Sequence, residues 1–213
     1  MGWMDQTITA AEAPPFEFSG GALCLDFVNT LGDRPRCAHD RLGEFSDLLR
    51  WAGEAEILDA PLQTRLAGRA ARRPTEAREV FGRAIALRED LYRIFSAFAA
   101  GRRPGRRELR ALNDVLAEAL PHLHVEEGDE GFRWTWSGAA SRLDRVLWPV
   151  VRSAADLITS PETSLLRECA SGTCSWLFVD RSRTHRRRWC DMKTCGNRAK
   201  ARRHYERRKK TPA

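Results

Sequence analysis

Hydrophobic residues recur at steps of three and four along several segments of the chain, the spacing that buries one face of an α-helix. The clearest of these segments starts at Pro74-Thr75 and ends at Gly101. Its apolar face consists of Val80, Phe81, Ala84, Ile85, Leu87, Leu91, Ile94, Phe95 and Phe98. Similar spacing predicts helices over 41–58 with Asp40 as the N-cap, over 60–72, over 104–120, and over 141–158 with a kink at Pro149.

Two other stretches alternate between apolar and polar residues, as half-buried β-strands do. Near the N-terminus, residues 16–18 and 23–27 alternate on either side of a turn at Gly20-Gly21. Further along, residues 122–125 lead into a Gly-Asp-Glu-Gly turn, after which Phe132, Trp134 and Trp136 alternate with polar residues. This second pattern is typical of a β-hairpin with an aromatic face. We expect the N-terminal strands and the hairpin to form one small antiparallel sheet.

These elements predict an α+β fold in two domains. The first domain, residues 1–160, is mainly helical and carries the small antiparallel sheet. The expected hinge is Ser160-Pro161, because Ser-Pro favours a turn. The second domain, residues 161–213, is small, contains four cysteines and ends in a basic helix.

Charge divides the chain in the same way. The formal net charge is +7, yet residues 165–213 alone carry 15 Lys and Arg against four Asp and Glu. The rest of the chain is mildly acidic. A basic tail on an acidic body indicates a polyanionic partner for the tail, although a solvated tail without a partner has the same composition.

The four cysteines of the tail form two evenly spaced pairs, Cys169-x4-Cys174 and Cys190-x4-Cys195, with 15 residues between the pairs. This layout is typical of a zinc site in which each pair supplies one edge of a tetrahedron. Disulfides are less expected without a secretion signal, and redox dithiols usually have x2 spacing beside a βαβ unit. We predict one structural zinc ion. Of the other two cysteines, Cys24 is expected to be a small buried apolar residue, and Cys37 lies in a polar loop.

Residues 176–208, WLFVDRSRTHRRRWCDMKTCGNRAKARRHYERR, resemble the CGNR zinc finger. The resemblance rests on the cysteine pairs, the F-x-D-x-S and RRWC elements, and the tetrapeptide Cys195-Gly196-Asn197-Arg198. LCLDFVNTL, DLLRWAGEAEIL and ALREDLYRIF resemble the ABATE domain that usually precedes this finger. Proteins of this kind are described as stress-induced transcription regulators of bacteria. The resemblance therefore implies that the finger binds DNA.

Basic residues lie on both sides of the second cysteine pair. We expect them to contact nucleic acid, with a zinc-tethered helix in a DNA groove and loop arginines on the backbone. The alternatives are a solvated helix with some arginines used structurally, an RNA-binding module, or a protein-docking module. The candidate residues are Arg181, Arg183, Arg186, Arg187, Arg188, Arg198, Lys200, Arg202, Arg203, Arg207 and Arg208.

A second candidate site lies in the first domain. Asp26, Asn29 and Thr30 cluster where a strand is expected to end, and Arg88 lies beside the apolar face of the long helix. These residues are candidates for binding a small polar effector that changes DNA affinity. In the alternative interpretation, Asn29 and Thr30 cap a strand end, Asp26 pairs with an arginine, and Arg88 is solvated.

Several functional classes are not expected. The sequence contains no nucleophile elbow, phosphate-binding loop or HExxH motif, and four cysteines close the coordination of a zinc ion, so we do not expect an enzyme. No apolar run reaches membrane-spanning length, and the first 15 residues lack the pattern of a signal peptide. We therefore predict a cytoplasmic protein. A homodimer would suit a small finger that reads few base pairs alone.

Overall fold

The computed structural model describes residues 15–34, 36, 39–128, 131–137 and 142–210, with the backbone alone at positions 39, 203, 204 and 206–210. Cys37 lies outside the described residues. So do nearly all of the first 15 residues, in which no signal peptide is expected. The α-helices in the described part are α1 (Leu23–Val28), α2 (Phe45–Glu54), α3 (Ala60–Arg72), α4 (Pro74–Ala99), α5 (Arg106–Ala119), α6 (Trp148–Thr159) and α7 (Asn197–Lys210).

The strands form three separate two-stranded antiparallel sheets. They are β1 (Leu31–Gly32) with β2 (His39–Asp40), β3 (Leu123–Gly128) with β4 (Gly131–Trp136), and β5 (Leu166–Glu168) with β6 (Leu177–Val179). The mainly helical α+β class is confirmed, and so is the aromatic hairpin. The prediction that the hairpin joins N-terminal strands in one sheet is wrong, because β3 and β4 pair with each other.

The apolar run before Asn29 is a helix, so the strand predicted over residues 23–27 is wrong. Cys24, Leu25, Phe27 and Val28 are all 0% exposed, which shows that α1 is buried on several sides. When a short element is buried on several sides, alternation of apolar residues along it cannot distinguish a strand from a helix. Residues 15–19 are extended without strand pairing.

Two predicted helix boundaries change for identifiable reasons. The N-terminus of α2 is closed by a capping box between Glu44 and Asp47, whereas Asp40, the predicted N-cap, binds Arg88. Pro149 lies in the first turn of α6, which begins at Trp148 after a 3₁₀ helix at Leu143–Leu147. Proline is well tolerated in the first turn because its missing N–H has no partner there, so it starts this helix and does not kink it.

The remaining helices follow the sequence pattern. In α3 the side chain of Asp59 accepts a hydrogen bond from the Leu62 N–H at 2.8 Å, which caps the helix. The apolar face of α4 is buried from Val80 to Phe95, and Gly101 follows its end with φ of +66°, a conformation that suits glycine. The predicted basic helix is α7, which begins directly after the Cys195-Gly196 dipeptide.

The small sheet β5–β6 shares the core of the helical part. Leu166, Leu177 and Val179 belong to the same hydrophobic cluster as the helices. Phe178 points to the other side and packs in a second cluster with the four cysteines, Trp176 and Trp189. The domain boundary at 160/161 stays a prediction, but the first strands of the second part clearly contribute to the first part's core.

Candidate metal centre and basic surface

Four cysteine sulfurs meet at one point of the second part. The Sγ atoms of Cys169, Cys174, Cys190 and Cys195 all lie within 4.8 Å of one another, and each residue is buried. The Sγ of Cys190 lies 3.6 Å from that of Cys174 and 3.7 Å from that of Cys195. A tetrahedron of sulfurs at ~2.3 Å from zinc has edges of about 3.8 Å, whereas a disulfide needs about 2.05 Å. The geometry therefore fits a tetrahedral zinc ion.

Mutual contact between these thiols favours ionisation of one of them and opposes ionisation of two others. Hydrogen bonds from Cys174 and Cys190 lower the pKa of Cys169 well below its ordinary value. The same contacts with Cys169 raise the pKa values of Cys174 and Cys190. One thiolate thus forms at the expense of the others, because its charge holds the adjacent protons in place. A divalent cation supplies the charge that lets several thiolates exist together, so the donor set is chemically suited to zinc.

The first cysteine pair is held by backbone hydrogen bonds. The N–H of Cys169 donates to Trp176 O at 2.8 Å, and the N–H of Cys174 donates to Ser171 O at 3.2 Å, which closes a turn between the two cysteines. The N–H of Ala170 donates to Arg188 O at 2.8 Å and joins this turn to the segment that leads to Cys190. The two cysteine turns are therefore connected by the backbone as well as by the sulfurs.

The second pair is held by a side-chain cap. Asp191 Oδ1 accepts hydrogen bonds from the N–H and the hydroxyl of Thr194, at 2.8 and 3.1 Å. This starts a π-helical turn, Met192–Gly196, that contains Cys195 and leads directly into α7. The N–H of Gly196 donates to Asp191 O, and a Cβ at this glycine would lie 2.9 Å from the sulfur of Met192. Cys195 therefore ties the start of the basic helix to the metal centre.

The loop between the two pairs is organised by Asp180. Its side chain is 0% exposed, and its carboxylate accepts hydrogen bonds from the N–H and hydroxyl of Ser182 and from the N–H of Arg187. Burial alone would raise the pKa of Asp180, but these donors bring it below its ordinary value. The F-x-D-x-S element thus has a structural role, since Phe178 packs on the cysteines and Asp180 folds the loop.

Three of the five candidate arginines of this loop contact other groups of the protein, and two are exposed on its outside. Arg187 donates to Trp189 O, with its guanidinium 4.5 Å from the Phe178 ring centre, and Arg188 lies 5.4 Å from that of Trp189. Arg181 forms two hydrogen bonds with Glu162 and one with Gly21 O. Arg183 and Arg186 are exposed on the outside.

Helix α7 displays its described cations to solvent. Arg198, Lys200 and Arg202 are all exposed, and Tyr205 is 61% exposed. The Nη1 of Arg198 lies 3.4 Å from the hydroxyl of Thr173. The other candidates on this helix, Arg203, Arg207 and Arg208, lie on the described backbone of α7, and their side chains lie outside the described atoms.

Asn29 joins the helical part to the finger strand. Its Nδ2 donates to Leu177 O and its Oδ1 accepts from the Leu177 N–H, both at 2.9 Å and both buried. Backbone bonds from the Asp33 N–H to Cys174 O and from the Val179 N–H to Gly20 O, each at 2.9 Å, strengthen the joint. The amide of Asn29 therefore acts as an extra strand partner for β6.

The other three candidate effector residues are also engaged internally. Arg88 is 1% exposed, and its Nη1 and Nη2 each lie 2.7 Å from a carboxylate oxygen of Asp40. The same Nη1 donates to the hydroxyl of Thr30 at 3.1 Å, so Arg88 is not solvated. Asp26 lies elsewhere and accepts a hydrogen bond from the N–H of Gly20 at 2.8 Å, where an arginine partner was the alternative expectation. The four residues therefore do not converge on one pocket, and their effector role stays a prediction.

Asp26 should make stability depend on pH. Burial, partly offset by the Gly20 N–H, raises the pKa of this carboxyl from 3.8 to about 6. The folded protein therefore holds a proton that the unfolded chain releases, and Asp26 lowers stability as pH rises through this interval. Asp26→Asn keeps an acceptor for the Gly20 N–H and should stabilise the protein by about 1–3 kcal/mol at neutral pH. Near pH 3.8 the substitution should not change stability. Urea unfolding across pH measures the difference.

The matched control for this variant is Asp114→Asn, since Asp114 is exposed on α5. Its stability should follow that of the wild type at every pH. An Asp26→Asn curve that runs parallel to the wild-type curve would show that this carboxyl ionises normally in the folded protein.

A cavity of about 500 Å³ lies between the two parts of the chain. Its walls include Gly32 and Arg41 from the helical part and Thr173, Trp176 and Arg198 from the finger, and it reaches three of the four cysteines. The sequence did not indicate this contact between the parts. The N–H of Arg34 donates to Ser175 Oγ across 141 positions of sequence, and no local pattern signals a bond of that range.

Cys24 is 0% exposed, which confirms the prediction of a small buried residue, and burial raises its pKa to about 12. Among the described residues, no helix has the length and apolar character that a bilayer crossing requires.

Each of the two parts of the chain matches a known family model. Residues 21–161 match the family model ABATE, described as "Putative stress-induced transcription regulator". Residues 166–208 match the CGNR zinc finger. A search of curated proteins returned no match. Together with the four converging sulfurs, the second match identifies one structural zinc site at this position.

Proposed function

This chain belongs to the ABATE family and ends in a CGNR zinc finger, and on that premise we propose that it is a bacterial transcription regulator whose finger binds duplex DNA. Zinc holds the two cysteine turns together, and α7 and the loop 181–188 extend from this centre. The ion has a structural role, because four cysteines leave no coordination position for a substrate.

The observation that carries the proposal is a difference between the acidic and the basic side chains of the finger. The acidic ones are bonded within the chain, whereas several basic ones are exposed. The finger's described acidic side chains all accept hydrogen bonds within the chain. Glu168 bonds Tyr92 and Ser96 on α4, Asp180 is buried, and Asp191 caps the turn at Thr194. Among the described residues, Arg183, Arg186 and Lys200 are exposed, and no ion pair joins them to an acidic side chain. A surface with this imbalance attracts a polyanion.

The roles of the basic residues follow from their positions. Arg198, Lys200 and Arg202 lie on the first turns of α7, where a helix entering the major groove would meet bases and phosphates. The same helix carries Arg203, Arg207 and Arg208. In the loop, Arg183 and Arg186 would contact the backbone. Arg187 and Arg188 support the aromatic residues around the zinc, and Arg181 joins the loop to Glu162, so these three would act mainly by positioning.

DNA affinity should fall steeply with salt. If about six phosphates are neutralised, log K should fall with log salt at a slope of roughly −5. Replacing Arg183 and Arg186 together with alanine should reduce the slope by about 2 and weaken binding. Fluorescence anisotropy with a labelled duplex, measured across a salt series with the zinc-loaded protein, gives both values.

The control is the double variant Arg102→Ala, Arg103→Ala, which removes the same charge from exposed positions between α4 and α5. Its slope should equal that of the wild type. Equal losses in the two double variants would mean that total charge, and not the finger surface, determines binding.

An RNA-binding or protein-docking role remains the alternative function. The exposed Tyr205 on α7 is the feature that favours RNA, since an aromatic ring can stack on an unpaired base. Parallel titrations with duplex DNA and single-stranded RNA distinguish the two. Tighter binding to RNA would replace the DNA proposal, and binding to neither by a zinc-loaded protein would favour protein docking.

Control by a small effector would act through the joint between the parts. Asn29 bonds β6 directly, and Thr30 and Arg88 support the neighbouring strand β2 through Asp40. We place the effector-sensing role in residues 1–160 and the DNA-binding role in residues 161–213. A ligand that shifts this joint would change how the finger is presented. A cytoplasmic location follows from a DNA target in bacteria.

A further inference from the structure

A pocket of about 300 Å³ lies within the finger, between the turn of the first cysteine pair and the start of α7. It is lined by residues 170–173 of the turn, by Arg188 and Trp189 at the end of the arginine loop, and by Arg198 and Arg202 on α7. Pockets for small ligands have volumes of about 300–1,000 Å³, so this one suits a small group. Three segments of the finger thus meet around one space.

The walls of this pocket are fixed by the zinc centre and by the backbone. Cys169 and Cys174 are zinc ligands on either side of the turn, and Cys195 is the ligand that precedes α7. The N–H of Ala170 donates to Arg188 O at 2.8 Å and ties the turn to the loop. A ligand that enters the pocket therefore meets groups that are already in position, which lowers the entropic cost of binding.

The charge of the pocket is positive. Three of its lining residues are arginines, and none of the described residues that line it is acidic. Arg188 and Arg198 are exposed, and no ion pair among the described residues joins either of them to a carboxylate. The guanidinium of Arg188 lies 5.4 Å from the ring centre of Trp189, which places positive charge along the aromatic wall. Such a pocket attracts an anion.

Two hydroxyls and a guanidinium nitrogen lie side by side in this pocket. Thr173 Oγ1 lies 3.4 Å from Arg198 Nη1 and 3.5 Å from Ser171 Oγ. Both distances exceed those of well-formed hydrogen bonds, which are about 2.7–3.2 Å for N–H···O and 2.5–3.0 Å for O–H···O. An anion with several oxygens beside Thr173 would accept hydrogen bonds from all three groups. Arg, Ser and Thr are among the side chains that bond phosphate oxygens of DNA.

We propose that this pocket binds one backbone phosphate of duplex DNA, with Ser171, Thr173 and Arg198 as the donors. The inference rests on the proposed function and adds to it the turn 170–173, which carries no charged residue and which the charge pattern did not indicate. A phosphate held here would fix the position of α7 on the duplex without reading a base. A free phosphorylated ligand has the same chemistry, and the following titrations distinguish the two sources.

Nuclear magnetic resonance of the zinc-loaded, ¹⁵N-labelled chain tests the pocket without DNA. Inorganic phosphate at millimolar concentration, with ionic strength held constant by chloride, should shift the amide signals of Gly172 and Thr173. The amide of Gly82, an exposed residue of α4, should not move. Adenosine monophosphate is titrated in parallel with a short duplex. Tighter binding of the mononucleotide than of the duplex would assign the pocket to a free ligand and overturn the DNA source.

Thr173→Val removes the central hydroxyl and nearly preserves the size of the side chain. It should weaken duplex binding roughly 5- to 10-fold without changing the salt slope, because no charge is lost. Arg198→Gln should instead lower the slope by about 1. The matched control is Thr75→Val, which removes an exposed hydroxyl from the first turn of α4 and should bind as the wild type does. Zinc content is measured for each variant, so that loss of the metal is not mistaken for loss of the contact.

Failure of the pocket and failure of DNA binding give different results. Wild-type DNA affinity of Thr173→Val, together with unshifted turn signals in phosphate, overturns the pocket and leaves the proposed function intact. Phosphate-dependent shifts of the turn in a protein that does not bind duplex DNA overturn the DNA source and the proposed function together.

Discussion

Cys190→Ser should lose its zinc and, with the zinc, the fold of the finger between residues 169 and 196. Cys190 is 1% exposed and its sulfur is within 3.7 Å of two others, so a serine hydroxyl would leave one corner of the tetrahedron without a thiolate. Bound zinc contributes on the order of 10 kcal/mol to such modules. The remaining apolar contacts of Phe178, Trp176 and Trp189 are too few to replace it.

The loss should stay local. Leu166, Leu177 and Val179 pack in the main core, so β5 and β6 should remain attached while the cysteine turns and α7 lose their arrangement. Elemental analysis measures zinc per chain, and tryptophan emission reports the exposure of Trp176 and Trp189. Cys24→Ala is the control, because it removes a buried cysteine outside the site and should keep one zinc. Retention of stoichiometric zinc by Cys190→Ser would contradict the four-cysteine assignment.

Asn29→Ala should loosen the joint between the two parts. The substitution removes both Asn29 partners of the Leu177 backbone and leaves a donor and an acceptor unpaired at a residue that is 0% exposed. Each buried unpaired group costs about 1–3 kcal/mol, so the loss should be about 2–5 kcal/mol, or roughly 5–15 °C in the midpoint of thermal unfolding. Calorimetry of the zinc-loaded protein measures it.

Asn113→Ala is the matched control, since Asn113 is exposed on α5. It should change stability by less than about 0.5 kcal/mol. DNA binding by Asn29→Ala is informative as well, because a loosened finger should bind DNA with altered affinity while retaining its zinc. Equal stability of the two asparagine variants would show that the Asn29 bonds contribute nothing to the folded state.

The metal centre could be predicted from the sequence because its ligands are covalently close. Two cysteines separated by four residues can share one turn, and 15 residues allow the chain to reverse and bring the second pair to the first. The helices α3 and α4 were predictable for a related reason. A helical apolar face repeats within the element itself, and local signals such as Asp59 and Pro74 set the boundaries.

The local sequence pattern gave wrong predictions of secondary structure and capping in two situations. One is an element buried on several sides, and the other is a residue whose role depends on its neighbours. Helix α1 is buried on several sides, so its alternation carried no information on secondary structure. Asp40 has the side chain of an N-cap, but Arg88, 48 positions away, binds it instead. Proline at position 149 was expected to kink a long helix, and a preceding 3₁₀ segment places it in the first turn.

By itself the sequence determined the mainly helical class, the aromatic hairpin, the four ligands of the zinc site and the accumulation of positive charge around them. Each of these depends on residue types at short separations, which composition and spacing record. Only the tertiary structure decided that Asn29 holds Leu177, that Arg88 binds Asp40, and that the N–H of Arg34 donates to Ser175. These relations join distant segments, and the packing of the whole core determines which of them meet.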